Sequence, residues 1–407
     1  MNRNCRNCGN QITKFFSLGD MPLVNSFLKK EEISSEKKFD LSVGFCSRCF
    51  LVQLMKTVPP EDLFRHYLYF SSVSSAFLAH CKETADYLTE RFSLTPQSLV
   101  LEIASNDGAQ LQFFKEKGIK VLGVDPAKNI AEAANKKGIP TVPEFFNAAL
   151  ARKFVLEQHI CADIVFGANV LAHVPEIVDF LTGVKMVLRP KGTAIFEFPY
   201  IKGLTENKFD TIYHEHVFYY SLLALTNLFT NAGLELYDAE TTWAQGGSLR
   251  IFASHPGTFS KTNAVKDILA QEMKAGFDKI ETYQKIEENA VRLKSELTSL
   301  LTRIKGEGKS VAAYSAPAKG NILLNYFGIG SNFLDFIVDY SKAKQGLYTP
   351  GTHLLVHSLD EIYKRHPDYL LVLCWNITHE VVNMKELHEY KKGGGRFIVP
   401  IPEIKII

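Results

Sequence analysis

No stretch of this 407-residue sequence stays apolar for the roughly 18 to 20 residues that a membrane-spanning helix needs, so no membrane partner is expected. Charge of one sign is also missing. Against 46 Lys and Arg stand 44 Asp and Glu, a formal net charge of +2. A chain that grips nucleic acid through its phosphates carries a basic field, and none is present here. The opening residues, Met-Asn-Arg-Asn-Cys-Arg, lack the apolar core of a secretory leader, so a cytoplasmic location is expected. No coiled-coil seam or large exposed apolar motif stands out, and the chain is expected to act as a monomer. What remains is globular: 46% hydrophobic and 22% charged, with length for two or three domains.

Seven cysteines are present, and four fall in the first 50 residues as two Cys-x-x-Cys pairs: Cys5 and Cys8, then Cys46 and Cys49. A tight knuckle points two thiolates at one metal, and two knuckles complete a tetrahedral four-sulfur site. A redox dithiol is the competing reading. A zinc held this way has no open position, so its role is structural, tying together a segment with little core of its own. The long interval between knuckles is readily absorbed by a loop.

From about residue 71 the pattern becomes α/β. A helical signal from Phe77 to Phe92 leads into an apolar strand, Ser98 to Ile103, and a small-residue loop, Ala104-Ser-Asn-Asp-Gly108. After a helix from near Ala109, the strand Val121 to Val124 ends in Asp125. The unit reads as βαβ, with loop and acid at the carboxyl ends of adjacent strands, where doubly wound sheets bind ligands; such an acid can accept both hydroxyls of a ribose. The loop has neither Gly-x-Gly-x-x-Gly nor a phosphate cradle. That suits a nucleoside without phosphate, S-adenosylmethionine, better than a dinucleotide. A further strand, Ala162 to Phe166, ends in Asn169 and His173; a helix, the turn Leu188-Arg-Pro-Lys-Gly192 and a strand, Thr193 to Pro199, follow. This order resembles the second half of class I methyltransferases.

The densest chemistry is Tyr213-His214-Glu215-His216. Read as an alternating stretch, it puts Tyr213 and Glu215 on one face and His214 and His216 on the other. His216 is a candidate general base near neutral pH. The chain here resembles the sugar C-methyltransferases that act on nucleotide-linked 4-keto-deoxysugars. It matches them in the four-cysteine module with Leu18-Gly-Asp-Met-Pro-Leu-Val-Asn25, in Glu102-Ile-Ala-Ser-Asn-Asp-Gly108, in Tyr-His-Glu-His, in Gly246-Gly-Ser-Leu-Arg250 and in a C-terminal α/β domain. Ala104 stands where many methyltransferases have glycine.

The resemblance implies three units: a zinc module over 1–70, a methyltransferase core with connecting helices over 71–305, and a Rossmann-like domain over 306–407. It implies a cofactor site of Glu102, Ala104, Asn106, Asp107 and Gly108, with Asp125, Pro126 and Asn169 opposite. It also implies a reaction. His216 would remove a proton from carbon 3 of the sugar, alpha to the 4-keto group, and the enolate would take the methyl. Glu215 and Tyr213 would support the base and position the sugar, and Asn169 and His173 would line the same pocket. Either His173 or Tyr213 would hold the enolate oxygen. Tyr69 is expected to reach the sugar phosphates, with a thymidine carrier expected. The alternative is an O- or N-methyltransferase of another small metabolite, for which a carbon-acid base has less use.

From about 260 to 305 apolar residues recur at helical spacing (Ile268, Met273, Phe277, Ile280), which reads as a helix pair with one solvated face. A second α/β pattern follows: Ser310 to Tyr314, a loop reaching Lys319, a helix from Asn321, and strands at 336–339, 369–374 and 396–400. Lys319 near a helix N-terminus suits an anion, either the substrate pyrophosphate or the helix end alone. No complete dinucleotide fingerprint is present, so no second cofactor is expected.

Overall fold

The computed structural model describes residues 4–64, 70–73, 75–242 and 247–407. Three sheets organise them. In the first, β1 (Thr13–Pro22), β2 (Lys38–Phe45) and β3 (Val52–Leu54) form an antiparallel meander beside the cysteine knuckles.

The second sheet is built from β4 (Leu99–Ile103), β5 (Lys120–Val124), β6 (Thr141–Val142), β7 (Ala162–Ala168) and β8 (Leu188–Pro199). Next in the chain, β9 (Phe218–Tyr219) leaves this sheet and pairs with β3 instead. β10 (Glu235–Thr242) and β11 (Ser248–Ser254) then complete the order β10-β11-β8-β7-β4-β5-β6. Only β11 runs antiparallel to its neighbours. Central strands such as Leu99-Val-Leu-Glu-Ile103 are covered on both faces, which is why they read as near-continuous apolar runs. The topological switch lies between β4 and β7, so the loops after β4, β5 and β7 open onto one crevice.

The third sheet takes β12 (Val311–Tyr314), β13 (Phe336–Val338), β14 (Val356–His357), β15 (Tyr369–Val372), β16 (Arg396–Val399) and β17 (Lys405–Ile406), in the order β14-β13-β12-β15-β16-β17. Five strands are parallel and β17 is antiparallel. Its own switch point lies between β12 and β15.

The helices Asn263–Ala275 and Ile280–Gly306 confirm the expected pair. The buried stripe is not where it was expected, because Met273 is 49% exposed. The stripe runs along the second helix, from Tyr283 through Leu293 to Ile304, at the three- and four-residue spacing of one helical face. That face joins the N-terminal sheet and the third sheet into a single core containing Phe16, Tyr283 and Ile337. The segment Leu188–Gly192 is likewise not a free turn. It is a bulge inside β8, with pairing shifted between Ala162/Leu188 and Ile164/Thr193, as an irregular strand entry beside a parallel neighbour allows.

Candidate active site and zinc centre

The four sulfurs of Cys5, Cys8, Cys46 and Cys49 lie within 4.8 Å of one another. Cys5 to Cys49 and Cys8 to Cys46 are each 3.5 Å, close to the edge of about 3.8 Å that bonds of about 2.3 Å give a tetrahedral zinc site. The donor set therefore fits zinc. The knuckles repeat one turn: Gly9 N–H donates to the Cys5 carbonyl and Phe50 N–H to that of Cys46, at 2.9 and 2.8 Å. Gln53, fully buried, donates from Nε2 to Cys5 Sγ at 3.2 Å and accepts from the Arg6 backbone at 3.1 Å. This is the outer-shell support a metal site needs. Gln53 also pairs with Phe218 in β9, two residues from His216.

The segment Tyr213 to His216 departs from the alternating reading. His216 N–H donates to the Tyr213 carbonyl at 2.9 Å, which closes a turn and brings Tyr213 and His216 side by side. The Tyr213 hydroxyl lies 2.7 Å from His216 Nε2, and His216 Nδ1 lies 2.9 Å from the Thr211 carbonyl. A carbonyl only accepts, so Nδ1 carries the proton and Nε2 offers its lone pair to the Tyr213 O–H. Burial first, then the neighbouring His173 and Lys319, hold the His216 pKa well below its ordinary value, against the bond to Thr211. The imidazole is therefore neutral, the form that can take a proton.

His173 packs edge-on against His216 at 5.0 Å, and desolvation lowers its pKa to about 4. Glu215 accepts from Asn25 Nδ2 at 2.6 Å; burial raises its pKa to about 7, with the Asn25 bond acting against it. His214 turns away, its Nε2 3.2 Å from the Phe39 carbonyl. Tyr213, Glu215, His216 and His173 thus meet at one cavity of about 870 Å³, which Glu102, Ala104, Asn106, Asp125, Pro126 and Asn169 also line.

Asp107 and Gly108 do not line that cavity. The Asp107 carboxylate turns to the Ser72 hydroxyl and to Lys137 Nζ, the latter at 2.6 Å. Gly108 is left-handed (φ 80°), with Ile139 close against it. Tyr69 and Gly246 lie outside the described residues. Asn25 had no assigned role in the sequence, although the motif Leu18–Asn25 contains it.

The walls expected to hold the cofactor are of a kind that suits a cationic nucleoside. Glu102 Oε2 is buried without a partner, and desolvation, then Asp125 and Asp107, raise its pKa. Asp125 accepts from Asn106 N–H at 2.9 Å and from Ala127 N–H at 3.0 Å. The third sheet repeats this clasp. Asp339 accepts from Ala316 N–H and Ser341 N–H, each at 2.8 Å. Ala104 and Ser315, the first residues after β4 and β12, are both left-handed (φ 56° and 68°). Their N–H groups donate to Val124 and Val338 at 2.7 and 2.8 Å. One difference is plain: Lys344 Nζ donates to Asp339 at 3.3 Å and to the Ala316 carbonyl at 3.0 Å.

The motif arginine has a structural place. Arg250 stands opposite Glu197 across β11 and β8, donates to it from Nε and Nη2 at 2.9 and 2.7 Å, and reaches Thr84 at 2.9 Å. His80 meets the other Glu197 oxygen at 2.8 Å.

Family models match the chain in three parts: a zinc binding domain over 5–64, a methyltransferase domain over 77–239 and a C-methyltransferase C-terminal domain over 243–402. The C-methyltransferase NovU of Streptomyces niveus is 37% identical over 99% of this chain and 96% of its own length. The chain belongs to this C-methyltransferase family. Solved structures with a similar core include a magnesium protoporphyrin IX methyltransferase of Synechocystis with bound S-adenosylhomocysteine, at 16% identity over 44% of this chain and 83% of that one, TM-score 0.35. Another is an S-adenosylmethionine-dependent methyltransferase of Clostridium acetobutylicum, at 11% identity over 43% and 91%, TM-score 0.36. As a C-methyltransferase the chain uses S-adenosylmethionine, carries a zinc-binding module and acts on a small molecule. No helix among the described residues is long and apolar enough to cross a membrane.

Proposed function

We propose that this C-methyltransferase methylates carbon 3 of a nucleotide-linked 4-keto-deoxysugar, with thymidine diphosphate as carrier, through an enolate made by His216. The observation that supports this most is the fixed tautomer of His216, whose Nε2 lone pair meets the Tyr213 hydroxyl at the lining of a cavity that Glu102 and Asp125 share. An oxygen or nitrogen nucleophile has less need of such a base than a carbon acid has.

In this reading the bound cofactor supplies an electrophilic methyl group. Glu102, Asn106, Asp125 and Asn169 hold it at the carboxyl ends of β4, β5 and β7. The sugar carbon enters beside His216, and Tyr213 gives up its hydrogen bond to Nε2 as the substrate takes that place. Nε2 then receives the carbon 3 proton, while Nδ1 keeps its bond to Thr211. Glu215, held by Asn25, orients the sugar hydroxyls. A second cavity of about 620 Å³ shares its wall with the first and offers room for the nucleotide. The zinc module (1–70) and the C-terminal unit (306–407) then serve as the two walls that close on the core (71–305).

The test is deuterium incorporation at carbon 3 of a dTDP-4-keto-6-deoxysugar, followed by NMR without S-adenosylmethionine. Exchange by the wild type that is lost in His216→Ala supports the reading. Silence across several nucleotide sugars, with S-adenosylhomocysteine present, would refute it and favour an O- or N-methyltransferase.

A further inference from the structure

An enolate puts negative charge on the carbonyl oxygen, and the donors closest to His216 bring no positive charge to meet it. Tyr213 offers a neutral hydroxyl, released from Nε2 only when the substrate takes that place. His173 has its pKa pulled far down and is a neutral ring. Lys319 is different. It is the second residue of the helix Ala318–Phe327, at the switch point of the third sheet. Gly320 beside it seats that helix on the chain after β15, since a Cβ there would meet Leu373 at 2.7 Å. Among the described residues only Pro199, His216 and Lys319 line both cavities, so the base and one ammonium are the two described ionisable groups at the junction.

The ammonium is held there without being neutralised. Its Nζ lies 4.9 Å from the centre of the Trp375 ring. Trp375 Nε1 donates to Asp210 Oδ2 at 2.6 Å, and the fully buried Asp210 keeps Oδ1 without a partner. No described residue forms a hydrogen bond or ion pair with Lys319. Burial lowers its pKa, and the Asp210 carboxylate acts against that loss of charge. Asp210 precedes Thr211, whose carbonyl fixes His216, so one short segment aligns cation and base together.

We propose that Lys319 is a catalytic residue whose ammonium holds the enolate oxygen while His216 takes the proton, an assignment that rests on the carbon-acid reading above. The C3–H bond breaks and its proton goes to Nε2. Its electron pair becomes the C3=C4 bond, and the carbonyl π pair moves to oxygen beside Lys319. Carbon 3 then bonds to the methyl carbon, the sulfur keeps the pair of the broken S–CH₃ bond, and the carbonyl re-forms. The oxygen sits on the carbon next to the one deprotonated, so its partner must stand beside the base. A diphosphate on carbon 1 lies across the sugar ring from carbon 4, which favours the carbonyl oxygen over the phosphate as the Lys319 ligand. Desolvated, pre-placed charge of this kind is the most effective stabiliser of a developing oxyanion.

Lys319→Met and Lys319→Arg separate these roles, with zinc content and thermal melting as controls for folding. With a saturating dTDP-4-keto-6-deoxysugar, carbon 3 exchange should slow by at least about 100-fold in the Met variant. Arg should recover part of it, and calorimetry should show dTDP binding within about threefold of wild type. Wild-type exchange with lost dTDP affinity would make Lys319 a phosphate anchor and overturn the proposal. Loss of both in a folded variant, or of neither, would overturn it as well. A wild type that itself shows no exchange would instead refute the carbon-acid reading, and the role of Lys319 with it.

Discussion

Removing the zinc should cost this C-methyltransferase its turnover before it costs its cofactor binding. Contacts from the module to the proposed base cluster include Asn25 Nδ2 to Glu215 at 2.6 Å, Leu54 N–H to the Val217 carbonyl at 2.8 Å, and the Phe39 carbonyl to His214 at 3.2 Å. Gln53 ties Cys5 Sγ to β3 and pairs with Phe218 in β9, so a stripped chain, its knuckles no longer closed on the metal, loosens β3 and with it β9. Burial raises the Glu215 pKa to about 7, so the group is only partly charged near neutral pH, and loss of the Asn25–Glu215 bond alone removes about 0.5–1.5 kcal/mol, or about 2- to 10-fold in rate. A base displaced by about 1 Å adds about 100-fold. The proposed cofactor walls, by contrast, come from the loops after β4, β5 and β7. The assay compares zinc-depleted and zinc-restored chain for methyl transfer and for S-adenosylhomocysteine binding by calorimetry. Turnover should fall at least about 100-fold with cofactor affinity nearly unchanged, and zinc should restore it. Full turnover without zinc would refute the coupling through β3 and β9.

The other expectations concern pH and packing. A base must be unprotonated, and the pKa of His216, the proposed base, is held low, so carbon 3 exchange should stay level from about pH 8 down to about pH 6. A fall below pH 7, following the Glu215 value of about 7 and abolished in Glu215→Gln, would transfer the base role to Glu215. Ala104→Gly should stabilise the fold by about 0.5–1 kcal/mol, because a left-handed alanine costs about 1–2 kcal/mol and glycine returns about 0.5–1 in chain entropy; chemical denaturation reads the sign. Arg250→Met strands the buried Glu197 carboxylate and should destabilise by about 3–5 kcal/mol, seen as a lower denaturant midpoint, whereas an unchanged midpoint would contradict the pairing.

The parts of the molecule that were legible in the sequence are those whose physics is local. Strands β4, β5 and β7 announce themselves because burial on both faces leaves uninterrupted apolar runs, and Asp125 follows at the end of one. The knuckles show because metal spacing is short. The rest depends on contacts that no local pattern encodes. Asn25 reaches Glu215 across 190 residues and Trp375 reaches Asp210 across 165. β9 is two residues long, too short for any period. The turn at 213–216 carries no glycine, proline or asparagine to mark it, so it read as a strand, and its tyrosine and histidine were placed on opposite faces when they touch.

The repeated clasp carries an expectation about stoichiometry. Asp125 faces an open cavity, whereas Asp339 has its counter-ion built in, because Lys344 already sits on the carboxylate and on the neighbouring carbonyl. Two clasps of one design are thus in opposite electrical states, one receptive and one self-neutralised. On this arrangement the C-terminal half offers a nucleoside no open carboxylate at Asp339, and calorimetry is expected to count one S-adenosylhomocysteine per chain.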